Sequence, residues 1–228
     1  MFSLKNLSGV RRHLATISIT FFVVALAVAQ VDFSLMRELA LSRYGPDTAR
    51  VVDNWQSQIE SMKSLPDDEK LERVNHFFNS RIRWSQDPDI WGEDDYWATP
   101  LELMGRGMGD CEDFAIAKYA TLVLAGVDID KLRITYVKAR SIGKNDPAIS
   151  AHMVLAYYPS ATAEPMILDN LITEILPASQ RPDLTPVYGF NSKGIWVGSS
   201  SAPATTQPEA RLSRWRDLLR RASAEGLG

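Results

Sequence analysis

The one cysteine of this chain, Cys111, stands in the run Gly109-Asp110-Cys111-Glu112-Asp113. A thiol attacks a carbonyl as its thiolate, so it needs a base to take the proton and a third group to hold that base in one tautomer. Three histidines offer a base: His13, His76 and His152. His152 lies in an alternating apolar run, Ala151-His152-Met153-Val154-Leu155-Ala156, and Asp169 closes a shorter one, Met166-Ile167-Leu168-Asp169. In the order Cys111, His152, Asp169 the chain thus carries the parts of a nucleophile, a base and an orienter. A lone cysteine is more often a small buried hydrophobe than a nucleophile, and it is the helix-start position with the downstream partners that favours the nucleophile here.

The elements that must position these groups follow from the flanking pattern. Residues 114–125 have apolar side chains at 116, 119, 120, 123 and 124, one face of an α-helix. Asp110 sits at its N-cap position and Gly126 at its end, while Gly105-Arg106-Gly107-Met108-Gly109 predicts a loop before it. Cys111 is then expected in the first helical turn, where free N–H groups and the helix dipole lower a thiol pKa. Residues 132–139, 151–158 and 166–170 read as strands, with shorter ones at 187–190 and 194–197 and hairpin chemistry at 141–150. Helices are expected over 32–44, 47–64, from Pro66 to about Arg81, and from Thr99-Pro100 to Gly105. His76 falls on the third of these and reads as a surface or packing residue. Residues 82–98 are irregular, aromatic and acidic, with Trp84, Trp91 and Trp97 able to wall a cleft or to fill core. Helices first and an antiparallel sheet after them make an α+β domain.

The composition is that of a globular chain, 45% hydrophobic and 23% charged over 228 residues. The N-terminus reads as a secretory signal: a basic head (Lys5, Arg11, Arg12), an uncharged apolar run over 14–29, and Ala27-Val28-Ala29 before Gln30. The organisation expected is a signal peptide over 1–29, one domain over 30–198, and a tail over 199–228. That tail comprises a linker and a basic amphipathic helix, which is expected to be solvated and loosely packed. Residues 1–29 hold three basic and no acidic side chains, so their removal takes the formal charge from −3 to −6. An acidic exported protein is a poor nucleic-acid binder.

The acids around Cys111 suggest a cation. Asp110, Glu112 and Asp113 place three carboxylates within four residues, and Glu93, Asp94 and Asp95 offer more from the preceding loop. Ca²⁺ takes six to eight oxygen ligands of this kind. The spacing is not that of an EF-hand, and helix capping by Asp110 and Asp113 accounts for two of the acids without a metal.

The stretches Trp97-Ala98-Thr99-Pro100, Gly109-Asp110-Cys111-Glu112-Asp113-Phe114-Ala115, Ala151-His152-Met153-Val154-Leu155-Ala156, Leu168-Asp169-Asn170 and Arg181-Pro182-Asp183-Leu184-Thr185-Pro186 resemble the LapG family, the bacterial transglutaminase-like cysteine proteinases of the papain-like superfamily. The resemblance covers roughly residues 45–198. It implies a papain/transglutaminase-like fold and a periplasmic, calcium-dependent cysteine endopeptidase. The family substrate is a large surface adhesin, cut near its N-terminus at a di-alanine site so that the biofilm disperses. The family partner is an inner-membrane receptor for cyclic di-GMP that sequesters the protease. By motif match Cys111 is the nucleophile, His152 the base and Asp169 the orienter, and the calcium-linked acids are Asp110 and Glu112, with Asp113, Asp94 and Asp95 as further ligand candidates. Two other functions stay open at this point: transglutaminase-type acyl transfer, which the same triad supports, and a non-catalytic calcium-binding partner of a membrane receptor.

Overall fold

The computed structural model describes residues 31–140 and 148–228. The expected signal peptide and the turn of the 141–150 hairpin lie outside the described residues. The chain opens with three helices, α1 (Phe33–Tyr44), α2 (Pro46–Met62) and α3 (Asp67–Arg81), close to the positions expected from the sequence. Asp32 caps α1 by accepting from Leu35 N at 2.9 Å. Pro46 occupies the first turn of α2, where a missing N–H costs nothing. Residues 82–98 are less irregular than their composition suggests: β1 (Arg83–Trp84) and α4 (Asp87–Ile90) form there.

Thr99 then opens α5 (Pro100–Arg106), closing a capping box with Glu102. The sequence reading ends this helix at Gly105, but it runs one residue further. A Cβ at Gly105 would meet the Tyr44 ring at 2.5 Å, so this glycine serves a close helix-to-ring approach. Gly107, with φ +63°, supplies the left-handed turn that stops α5. The chain then enters β2 (Met108–Gly109), which pairs in parallel with β1.

The central helix α6 (Cys111–Leu124) begins at Asp110 as expected. It packs against α3 and against the sheet, chiefly the strand over Ile149–Tyr157. Its core positions Phe114, Ile116 and Leu122 are each at most 3% exposed. Thr121 accepts from the buried Trp55 indole at 2.8 Å, tying α6 to α2.

The sheet follows: β3 (Leu132–Arg140), β4 (Ile149–Tyr157), β5 (Met166–Leu168), β6 (Leu176–Pro177), β7 (Leu184–Asn191) and β8 (Gly194–Val197). Its order is β6-β5-β4-β3-β7-β8, antiparallel throughout. Val137 on β3 pairs with His152 on β4, and Leu155 on β4 pairs with Leu168 on β5. Register therefore brings Asp169, one residue beyond β5, beside the middle of β4.

The expectation of a loosely held tail does not hold. Residues beyond β8 double back on it, with Ile195 and Thr205 bridged, and two helices follow, α7 (Pro208–Arg211) and α8 (Ser213–Ala224). Trp215 of α8 is 1% exposed and meets Tyr119 and Phe190 edge-on, at centroid distances of 5.9 Å and 5.3 Å. Arg221 pairs with Glu102 and donates to Trp97 O, while Glu225, itself buried, accepts from Arg43 at 2.7 Å and from Thr99 at 2.5 Å. The basic face of α8 reads as solvated because two of its acidic partners, Asp95 for Arg214 and Glu102 for Arg221, lie more than a hundred residues away in sequence.

Candidate active site

Cys111 is the first residue of α6, half-buried at the wall of a cleft of about 640 Å³. Gly109 sets the approach of this turn. A Cβ there would meet Leu103 Cδ1 at 2.4 Å and Asp113 Oδ2 at 2.8 Å. Asp113, three residues into the capping box, accepts from Asp110 N at 3.3 Å and from Ala98 N at 2.7 Å, which pins the preceding loop to the head of the helix.

His152 lines the same cleft. It is 5% exposed, and its Nε2 lies 2.8 Å from Asp169 Oδ1. Asp169 is among the most restrained groups in the molecule. Leu171 N donates to Oδ1 at 3.0 Å, and Arg181 Nη2 donates to Oδ2 at 2.8 Å. Its carbonyl oxygen accepts from Asn79 Nδ2 at 2.8 Å and from the buried Lys118 Nζ at 3.0 Å. Burial acts to raise the Asp169 pKa, but the hydrogen bond and charge of His152, with Leu171 N and Arg181, hold it at about 2. Asp169 is therefore ionised and able to accept from an Nε2–H, which leaves His152 Nδ1 as the nitrogen free for a proton from the thiol.

The structure thus places Cys111 and His152 at one cleft, with Asp169 buried behind His152, and leaves His76 exposed on α3, outside that cleft's lining. Of the three tryptophans singled out, Trp84 and Trp97 line the cleft. Trp91 instead packs on Tyr96, centroids 4.4 Å apart with the rings tilted by 33°, and carries Arg106 over its ring. Arg181 is the functional contact that sequence reasoning missed. Its motif was visible, but its role depends on a fold-back that spacing does not reveal.

The thiol differs from the expectation drawn from the helix dipole. Burial first, then the charges of Glu112 and Asp110, push the Cys111 pKa well up, and the backbone of Met153 pulls only partly the other way. The thiol donates to Glu112 Oε2 at 3.0 Å. Burial, with the crowded carboxylates, therefore outweighs the helix N-terminus here.

Those carboxylates form a built cluster. Ligand atoms of Asp87, Asp110 and Asp113 lie within 4.8 Å of one another, as do those of Asp87, Asp95 and Glu112, and those of Asp110, Cys111 and Glu112. Asp110 Oδ1 and Asp87 Oδ1 are buried with no hydrogen-bond partner among the described residues. Burial and the charges of Glu112 and Asp113 raise Asp110 to about 10; burial raises Asp87 to about 6. Orphaned buried carboxylate oxygens facing one another fit a hard cation. Asp94 lines the cleft but joins none of these groups, whereas Asp95 joins one and pairs with Arg214 at 2.9 Å. Asp87 was missed in the sequence: it sits in Gln86-Asp87-Pro88, and nothing there distinguishes a buried acid from the exposed ones around it.

The fold and this site define a class. Residues 46–184 match the model of the bacterial transglutaminase-like cysteine proteinases, and the chain belongs to that family of cysteine peptidases. Among solved structures it is similar to LapG of Legionella pneumophila, at 42% identity over 84% of this chain and 98% of that one, with a TM-score of 0.69. Two further structures of the same relative, titled EGTA-treated and calcium-bound, match at 42% identity with TM-scores of 0.71, covering 98% and 99% of their chains. No curated protein sequence matches this chain.

Proposed function

We propose that this protein is a calcium-dependent periplasmic endopeptidase that cuts the N-terminal region of a large cell-surface adhesin at a di-alanine site, releasing it and dispersing a biofilm. The observation that carries the reading is the meeting of Cys111 and His152 at one cleft, with His152 held by an ionised Asp169 at 2.8 Å. Membership of a cysteine proteinase family supports it.

In this reading His152 Nδ1 takes the Cys111 proton and the thiolate attacks the scissile carbonyl. His152 then protonates the leaving amine, and the thioester on Cys111 is hydrolysed by a water that His152 deprotonates. Asp169 keeps Nε2 protonated throughout and stabilises the imidazolium. The backbone N–H of Cys111, at the head of α6, donates to the developing oxyanion.

Calcium, held by carboxylates drawn from Asp87, Asp95, Asp110, Glu112 and Asp113, supplies positive charge that offsets their repulsion and favours the thiolate. The relative titled calcium-bound supports this choice of cation. Export to the periplasm rests on the apolar N-terminal run and its Ala27-Val28-Ala29 box. An inner-membrane cyclic di-GMP receptor that sequesters the protease is the proposed regulator.

The test is incubation of the mature protein with the N-terminal region of a large adhesin from the same cell. One cut between two alanines, stopped by EGTA and restored by added Ca²⁺, is expected. An uncut substrate, or a cross-linked product of higher mass, contradicts the reading.

A further inference from the structure

A second cavity, of about 560 Å³, opens beside the sheet and shares no lining residue with the catalytic cleft. Val137, Val154, Ala156 and Ile167, a small apolar cluster of their own, make part of its wall. A pocket of this volume with apolar walls and a few fixed polar groups is the usual form of a small-molecule site. Its buried charged groups are two arginines, Arg133 and Arg181, only 4% and 3% exposed; the one acid in the lining, Glu164, is exposed and accepts from Ser179 N.

Both have donors to spare. Arg133 Nε and Arg181 Nη1 are buried with no hydrogen-bond partner among the described residues. Arg181 spends its other nitrogens on Asp169 and Asp183. Arg133 has no acidic partner among the described residues: it donates to Ser200 O at 2.9 Å and lies over the rings of Tyr158 and Trp196, at 4.2 Å and 4.4 Å from their centroids. A buried cation left without a counter-charge is costly, and an anion is what completes it. The apolar wall adds a requirement that a bare inorganic anion does not meet.

We propose that this cavity is a binding site for a small monocarboxylate with an apolar tail. The carboxylate is held by Arg133 and Arg181, and the tail lies along Val154, Ala156 and Ile167. The site is distinct from the catalytic cleft but joined to it through one side chain, because Arg181 also holds Asp169. The inference does not depend on the peptidase reading.

Octanoate is a suitable probe, titrated calorimetrically into the whole protein in EGTA, so that a carboxylate acting by chelating calcium is not mistaken for a ligand. Trp196, stacked on Arg133, gives a second signal by fluorescence. Saturable one-to-one binding of octanoate is expected, with octan-1-ol at least tenfold weaker and inorganic phosphate giving no saturable heat. Arg133→Gln, shown to be folded by its near-UV circular dichroism, should weaken octanoate at least tenfold. Ala161→Trp, on an exposed turn that lines the cavity, should do the same by narrowing it, and carries the test if the arginine variant does not fold. Absence of saturable octanoate binding, equal binding of the alcohol, or unchanged affinity in the folded variants overturns the proposal.

Discussion

At the scale of single residues the account rests on two carboxylate environments of opposite character. Asp169 is surrounded by donors and stays ionised; Asp110 is surrounded by other acids and is pushed up to about 10. Asp169→Asn is nearly isosteric but presents a donor where His152 Nε2–H needs an acceptor. It should cost about four orders of magnitude in kcat, measured on the adhesin fragment, with the overall fold retained by circular dichroism. The same group ties stability to pH. Its pKa of about 2 lies below the ordinary aspartate value of about 3.9, so its contribution is present above about pH 4 and is lost as pH falls through 2. That contribution is about 2–3 kcal/mol by linkage. Chemical denaturation between pH 5 and pH 2 should show a steeper loss in the wild type than in Asp169→Asn. Cys111, His152 and Asp169 were legible in the sequence because a cysteine at a helix start, a histidine on a strand and an aspartate after a strand are rare together. Asp87 and Arg181 were not, since an acid in an acidic loop and an arginine after a turn carry no local mark of burial.

At the scale of elements, the head of α6 and the tail helix α8 decide whether the cleft is shaped. Gly109→Ala puts a methyl group into Leu103 and the capping carboxylate of Asp113, and the helix start cannot shift without moving Cys111. Such overpacking should cost about 1–3 kcal/mol and lower kcat more than that loss of folded protein explains. Thermal melts beside single-turnover rates separate the two effects. Trp215→Ala removes a side chain that is 1% exposed and should cost about 3–5 kcal/mol. Because Leu212, Ser213 and Arg214 line the catalytic cleft, the same variant should also raise KM on the protein substrate. The helices over 33–62, α6 and the long strands were legible because period and capping agree at each of them. The docking of α8 was not. A basic amphipathic helix has the same pattern whether its apolar face meets lipid, solvent or its own domain, and only the distant Glu102 and Phe190 settle which.

At the scale of the whole molecule, an acidic cluster at the head of the central helix helps to raise the pKa of the thiol beside it, and in the proposed function a bound cation would offset that charge. Excess Ca²⁺ should raise the melting temperature by mass action, with Mg²⁺ a poor substitute because it demands a tighter octahedral shell. Asp110→Ala and Glu112→Ala should each abolish the shift and the activity together; melts and calorimetric titrations of metal-stripped protein check this. The α+β layering was readable from the order of elements, whereas the joining of the sheet's two cavities through Arg181 depends on tertiary contacts alone. The most direct measurement of the central claim is intact-mass analysis of the enzyme acid-quenched during turnover of the adhesin fragment. With one cysteine in the chain, a thioester can form only at Cys111. The account predicts an adduct on Cys111 equal in mass to the N-terminal product less one water, present with Ca²⁺ and missing in EGTA. Cleavage that proceeds with no such adduct, and continues in Cys111→Ala, would contradict it.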